Sequence, residues 1–283
     1  MKPSALKKLK PNWSWSSNST IFYLDVRRLN LPVDILPILC YYIDAIERGT
    51  PTPIDIMKER YITMYDKRKT YYLTIDTETA NSLEEPMMYD LGGAIHDRQG
   101  NVLETFSFII YDIFCADRQL FDTAYYAEKR PMYEAQIASG QRKIVSIYTA
   151  RRHVRDLCEK YNVRAIIAHN ARFDYRATNY TIRYVTKSAS RYFLPYGVPV
   201  WDTLKMAQDT ICQQPTYIRW CQRNGYIQRN GKPRATAEIL YRYIKQDADF
   251  IEDHTGLEDV LIEKEIFAKC MAQHKKMRRG AFE

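Results

Sequence analysis

No two cysteines of this sequence form a C-x-x-C pair, and no hydrophobic run is long enough to cross a bilayer. The six cysteines, Cys40, Cys115, Cys158, Cys212, Cys221 and Cys270, are scattered along 283 residues. That scatter argues against a zinc ribbon and against a disulfide framework, and reduced thiols in a cytosolic compartment are the expectation. The most apolar stretch, Ile35 to Ile43, contains Pro37 and falls well short of the ~20 residues a spanning helix needs. The N-terminus, MKPSALKKLKPNWSW, is basic, but no apolar segment follows it, so a secretory signal is not expected. Internal repeats and long low-complexity tracts are also missing. The expectation is a soluble, cytoplasmic protein with no membrane partner.

What is present fits an ordinary globular chain, with 46% hydrophobic and 27% charged residues. A formal net charge of +8 and a pI of about 9.0 favour an anionic partner such as nucleic acid. The 23 tyrosines suit base stacking as well as they suit plain packing, so they do not decide between the two.

Two segments can be separated along the chain. Residues 1–68 read as a small helical N-terminal extension. Val33 to Glu47 has helical apolar spacing, GTPTP at Gly49 to Pro53 interrupts it, and Ile54, Met57, Tyr61 and Met64 share a face of a second helix. Nothing in the extension suggests chemistry. Residues 69–283 read as the main domain. Strands are predicted at Tyr71 to Glu78, Tyr89 to His96 and Val102 to Tyr111, with a hairpin turn at Arg98-Gln99-Gly100-Asn101. A loose, Tyr-rich segment leads to a helix carrying Val154, Leu157 and Tyr161. The short apolar run Val163 to Ala168 has the form of a buried parallel strand. A helix from about Ala171, a strand at Val198 to Asp202 and helices to the C-terminus complete the pattern. The fold class is α/β, a mixed sheet flanked by helices.

Three acidic clusters punctuate this domain. Asp76 and Glu78 end the first strand two residues apart, so they face the same way and repel unless a cation holds them. A D-x-E at a strand end is commonly nothing more than solvated surface. The second cluster, AHNARFD (168–174), follows the short parallel strand, where ligand sites of α/β sheets lie. Asp174 there reads equally well as a first-turn acid favouring the helix dipole, and Phe173 as a packing residue. The third is DHTGLEDVLIEKEI (253–266), where Thr255 and Glu258 have capping-box spacing. With Thr255 as N-cap, His254 and Asp259 take the two positions that usually meet as a hydrophobic staple. Backbone geometry then brings a histidine and a carboxylate to one corner. A histidine at a helix start is disfavoured as a cation, and a neutral imidazole is what a general base requires.

Taken in order, Asp76-Thr77-Glu78, His169-Asn170-x-x-Phe173-Asp174, Val200-Trp201-Asp202-Thr203-Leu204 and His254-x4-Asp259 resemble the DEDD superfamily of 3′–5′ exonucleases. The match is to the histidine branch, the DnaQ-like proofreading type; the tyrosine branch would place Tyr at position 255. The resemblance covers residues 70 to 272 and implies a ribonuclease-H-like fold. It implies two Mg²⁺ or Mn²⁺ ions held by Asp76, Glu78, Asp174 and Asp259, with His254 as the base that deprotonates water. It further places Thr79 and Ala80 near the 3′-terminal sugar, and Asn170 and Phe173 on the substrate side.

The implied activity is hydrolysis of nucleic-acid 3′ ends to 5′-mononucleotides, with single-stranded or frayed DNA favoured. An RNA-trimming exonuclease with the same site is the alternative, since the choice depends on contacts to the 2′-hydroxyl. A catalytically silent nucleic-acid-binding module is the reading from another class. Proofreading without an attached polymerase would require a replication protein in trans. By analogy, a compact exonuclease with an extension suits a phage or bacterial genome.

Overall fold

The computed structural model describes Asp66, residues 68–252 and residues 254–283. The expected N-terminal extension lies outside them apart from Asp66 and Arg68. Six strands form one sheet: β1 (Tyr71–Ala80), β2 (Met87–Asp97), β3 (Val102–Ile110), β4 (Lys143–Val145), β5 (Ile166–Ala168) and β6 (Val200–Asp202). Their order is β4-β3-β2-β1-β5-β6. Only β2 runs against its neighbours; the β3–β4, β1–β5 and β5–β6 pairs are parallel. This is the ribonuclease-H-like mixed sheet expected from the sequence.

β1 is central because its apolar run supplies both layers. Leu73 and Ile75 belong to a core with Val154 and Leu157 of helix α4 (Ile147–Lys160) and with Ala177 and Ile182 of α5 (Arg172–Thr186). Tyr72 belongs to the opposite core. It packs there with Met206 of α6 (Thr203–Asp209), Cys221 of α7 (Pro215–Arg223), Leu240 of α8 (Ala237–Lys245) and Ile262, Ile266 and Phe267 of α9 (Gly256–Met271). The Tyr72 and Phe267 rings lie 4.6 Å apart. Burying each such aliphatic or aromatic side chain contributes about 1.5–3 kcal/mol, and this apolar packing fixes α9 against β1.

Two parts of the fold depart from the sequence reading. The Tyr-rich segment is not loose throughout. It forms helices α1 (Tyr111–Phe114), α2 (Arg118–Phe121) and α3 (Arg130–Ala138), then edge strand β4 beside β3. With three residues and Lys143 and Ile144 exposed, β4 carries no alternation for a sequence pattern to reveal. The helices also do not run to the C-terminus. After α9 the chain returns along β6, where the Asp202 N–H donates to Arg279 O (2.7 Å) and the Ala281 N–H to Val200 O (2.9 Å). That pairing covers a sheet edge that would otherwise be open. The five cysteines among the described residues are free thiols, and no described helix is long and apolar enough to cross a membrane.

Candidate active site

Alternation along β1 sets the first division of labour. Asp76 and Glu78 point to the α9 face, and Thr77 points to the α5 face. Thr77 is buried, and its hydroxyl donates to Asp174 Oδ1 across 2.9 Å. Asp174, in the first turn of α5, therefore reaches the site from the opposite layer, held by the residue between the two acids. At the same strand end the β1–β2 pairing shifts register between Glu78 and Thr79, a bulge of the kind that re-aims side chains.

The other half of the site comes from α9. His254 precedes the helix in a left-handed backbone conformation (φ 49°), sparsely populated for a residue with a side chain. Thr255 is the N-cap as expected, but its hydroxyl does not cap the helix; it donates to the Glu258 carboxylate. Asp90 supplies the missing acceptor. Its Oδ2 accepts from the Gly256 N–H (3.1 Å) and from Arg142 Nη1 (2.9 Å), while Arg142 Nη2 reaches Glu258 Oε2 (2.9 Å). A cross-sheet ion pair thus replaces the local capping box. Two glycines let the helix come so close: a Cβ on Gly92 would stand 2.1 Å from the Gly256 carbonyl carbon.

The result is the corner that the sequence anticipated. Ligand atoms of Glu78, His254 and Asp259 lie within 4.8 Å of one another. The His254 ring stacks on Tyr126 (centroids 5.1 Å apart, 16° between planes), its Nδ1 is 3.8 Å from Glu252 Oε2, and Lys129 Nζ donates to its carbonyl (3.2 Å). Asp76 and Asp174 lie outside that tightest group but within electrostatic reach of it.

Crowding shows in the acidities. Loss of hydration, reinforced by Asp90, raises Glu78 to about 8, and loss of hydration with Glu252 and Glu78 nearby raises Asp259 to about 9. Burial lifts Asp174 to about 7 against the opposing Thr77 hydrogen bond. Asp76 is raised well above its ordinary value, first by burial and then by Glu263, Asp174, Asp259 and Glu78. Such a cluster holds protons or cations. Asp259 Oδ1 is buried without a hydrogen-bond partner, and an all-oxygen carboxylate set is the donor chemistry that Mg²⁺ and Mn²⁺ take. The residues fit a divalent-cation site.

The residues expected near substrate are distributed unevenly. Asn170 is exposed in a left-handed turn (φ 65°) and Phe173 and Thr79 are partly exposed, whereas the Ala80 side chain is buried in the core. Ala80 can therefore face a sugar only through its backbone. His169 is a packing residue, with Nδ1 2.9 Å from Thr203 Oγ1 and Nε2 2.8 Å from Ala235 O. Asp202 accepts from the Asn170 and Leu204 N–H groups (3.0 Å each) and so fixes the turn before α5. Sequence reasoning missed Thr77, Glu252 and Glu263. Strand alternation signals the first, and helical i,i+4 spacing from Asp259 signals the last.

No family model matches the chain, and no curated protein matches it in sequence. Among solved structures it is similar to Exonuclease X in complex with 5′ overhanging duplex DNA, at 18% identity over 72% of this chain and 92% of that one (TM-score 0.42). It is similar to E. coli Exonuclease I in complex with a dA16 oligonucleotide, at 18% identity over 70% and 40% of the two chains (TM-score 0.45). A third is Exonuclease I from Methylocaldum szegediense, at 16% identity over 73% and 41% (TM-score 0.44). The chain spans about two fifths of those two Exonuclease I structures.

Proposed function

We propose that the chain is a metal-dependent 3′–5′ exonuclease that releases 5′-mononucleotides, with single-stranded or frayed DNA as its substrate. The observation that carries the reading is the meeting of Glu78 from β1 with His254 and Asp259 from the start of α9 within 4.8 Å, beside Asp76 and Asp174. Three segments distant in sequence supply these groups, and raised pKa values are common where carboxylates share a functional site.

In this reading Asp76, Glu78 and Asp259 hold the cations, and Asp174, oriented by Thr77, supports them. Two divalent ions, when bound, stabilise charge on both the attacking and the departing oxygen of an in-line displacement. His254 accepts the proton of the attacking water as the water oxygen bonds to phosphorus. The P–O3′ bond to the preceding nucleotide breaks, and the departing O3′ takes a proton from bulk water, leaving a 3′-hydroxyl on the shortened strand and a 5′-monophosphate. Tyr126, stacked on the imidazole, and Glu252, near its Nδ1, restrict the ring's orientation.

Incubation of the full chain with end-labelled single-stranded DNA or RNA tests the proposal. A ladder shortening from the 3′ end with Mg²⁺ or Mn²⁺, abolished by chelator and faster on DNA, is expected. Hydrolysis by metal-free protein in excess chelator would refute the metal reading, and faster shortening of RNA would reassign the substrate.

A further inference from the structure

The carboxylate cluster contains a member outside the four acids and one histidine of the motif set. Glu263 lies on α9 one turn beyond Asp259, on the same face of the helix. It is 3% exposed, and its Oε2 is buried with no hydrogen-bond partner. The backbone N–H of His169, at the end of β5, faces its carboxylate. No lysine or arginine pairs with Glu263 among the described residues; its sequence neighbour Lys264 instead reaches Glu265 (2.6 Å).

The packing of α9 along β1 shows where this carboxylate lies. A Cβ on Gly256 would stand 3.2 Å from the Asp76 carbonyl oxygen, and Phe267, one turn past Glu263, packs on Tyr72 with ring centroids 4.6 Å apart. The turn carrying Glu263 therefore lies over β1 between those contacts. Of the acids around Asp76, Glu263 repels it most, ahead of Asp174, Asp259 and Glu78. Glu263 in turn is opposed by Asp174 and Asp259. An ionised carboxylate buried without a partner costs several kcal/mol, so it must take up a proton or a cation. A purely structural acid would use its second oxygen to bond a neighbour; this oxygen bonds none. A cation held by Asp76 would satisfy both groups at once.

We infer that Glu263 is a fifth carboxylate of the divalent-cation site, ligating an ion shared with Asp76 on the inner side of the cluster. The inference rests on the proposed function only in placing cations at Asp76. Its consequence is selectivity. A fifth anionic oxygen ligand strengthens the hold on divalent cations, and it opposes a phosphate that arrives before them.

The test is Mn²⁺ binding to the full chain without nucleic acid, followed by calorimetry and by the metal-induced rise in Tm. Glu263→Gln keeps the volume and removes the charge. Roughly 10–100-fold weaker Mn²⁺ binding is expected, the range seen when groups supporting a metal site are lost, together with a higher Tm in chelator from relieved repulsion. Unchanged Mn²⁺ affinity and stoichiometry in a folded Glu263→Gln would overturn the inference and leave the proposed function standing. Absence of Mn²⁺ binding to the wild-type chain would overturn both. An anomalous map of wild-type crystals soaked in Mn²⁺ requires no variant. A peak within about 2.6 Å of a Glu263 oxygen supports ligation, and peaks elsewhere in the cluster only would refute it.

Discussion

Asp76 and Asp202 both end strands of the same sheet, yet their surroundings assign them different work. Asp76 stands among four other carboxylates, whereas Asp202 accepts one backbone N–H from the turn before α5 and one from the first turn of α6, which it caps. Asp76→Asn should therefore abolish hydrolysis in a folded protein. Asp202→Asn, which keeps its acceptor oxygen, should retain most of it, and equal loss in two equally folded variants would mean the ligand set is misassigned. His254 calls for a different readout, because Glu78 and Asp259 lie close enough for it to serve as a ligand. A general base contributes roughly 10²–10⁴-fold to turnover, so His254→Ala should lose that much while keeping its Mn²⁺ affinity. Assayed at saturating metal, where carboxylate protonation is suppressed, wild-type turnover should rise with pH through the histidine range. The variant should lack that limb; a matching fall in Mn²⁺ affinity would make His254 a ligand.

At the scale of elements, α9 carries Asp259, Glu263 and the approach to His254, so its anchoring decides the site. The local sequence suggested Thr255 as the anchor, and replacing an N-cap normally costs about 1 kcal/mol. Here the Thr255 hydroxyl bonds Glu258 rather than the helix backbone, and Thr255→Ala should cost less than that. Asp90→Ala would remove the acceptor of the Gly256 N–H and the buried partner of Arg142. The Arg142 side chain is 3% exposed and would keep only the more exposed Glu258 as an ionic partner, and breaking a buried pair costs about 3–5 kcal/mol. Denaturant unfolding of the two variants should rank them in that order by a clear margin; the reverse order would return the anchor to the local cap. This contrast marks the limit of what was legible in the sequence. β1, β2 and β3 follow from alternation, which is local, and the acids of the motif set were singled out by the family resemblance. Asp90 and Arg142 meet from positions 52 residues apart, and the Gly92–Gly256 contact joins β2 to α9. Such pairings have no sequence period. Thr77 and Glu263 were within reach of the local rules, since alternation and i,i+4 spacing place both beside acids already singled out.

For the molecule as a whole, the cluster makes stability depend on protons and cations together. Glu252 and Asp174 are raised to about 7, Glu78 to about 8 and Asp259 to about 9, against about 4 in an unfolded chain. Acids with raised pKa values bind protons more tightly when folded, so between about pH 4 and 9 the native state carries more protons than the unfolded one. Stability must then fall as pH rises through that window. In chelator, Tm should decline between pH 5 and 9. The decline should be steepest between about pH 5 and 7, where the unfolded carboxylates are ionised while the folded ones keep their protons, and gentler as the folded groups ionise. Divalent cations replace the lost protons, and they bind better as the carboxylates ionise. The rise in Tm produced by Mg²⁺ or Mn²⁺ should therefore grow with pH, from little at pH 5 to its largest at pH 8–9. A thermal-unfolding grid of pH against metal checks both trends at once without substrate. A chelated protein whose Tm is flat or rising from pH 6 to 9 would show that these carboxylates do not crowd as described. A metal-induced shift independent of pH would show that the cation binds elsewhere.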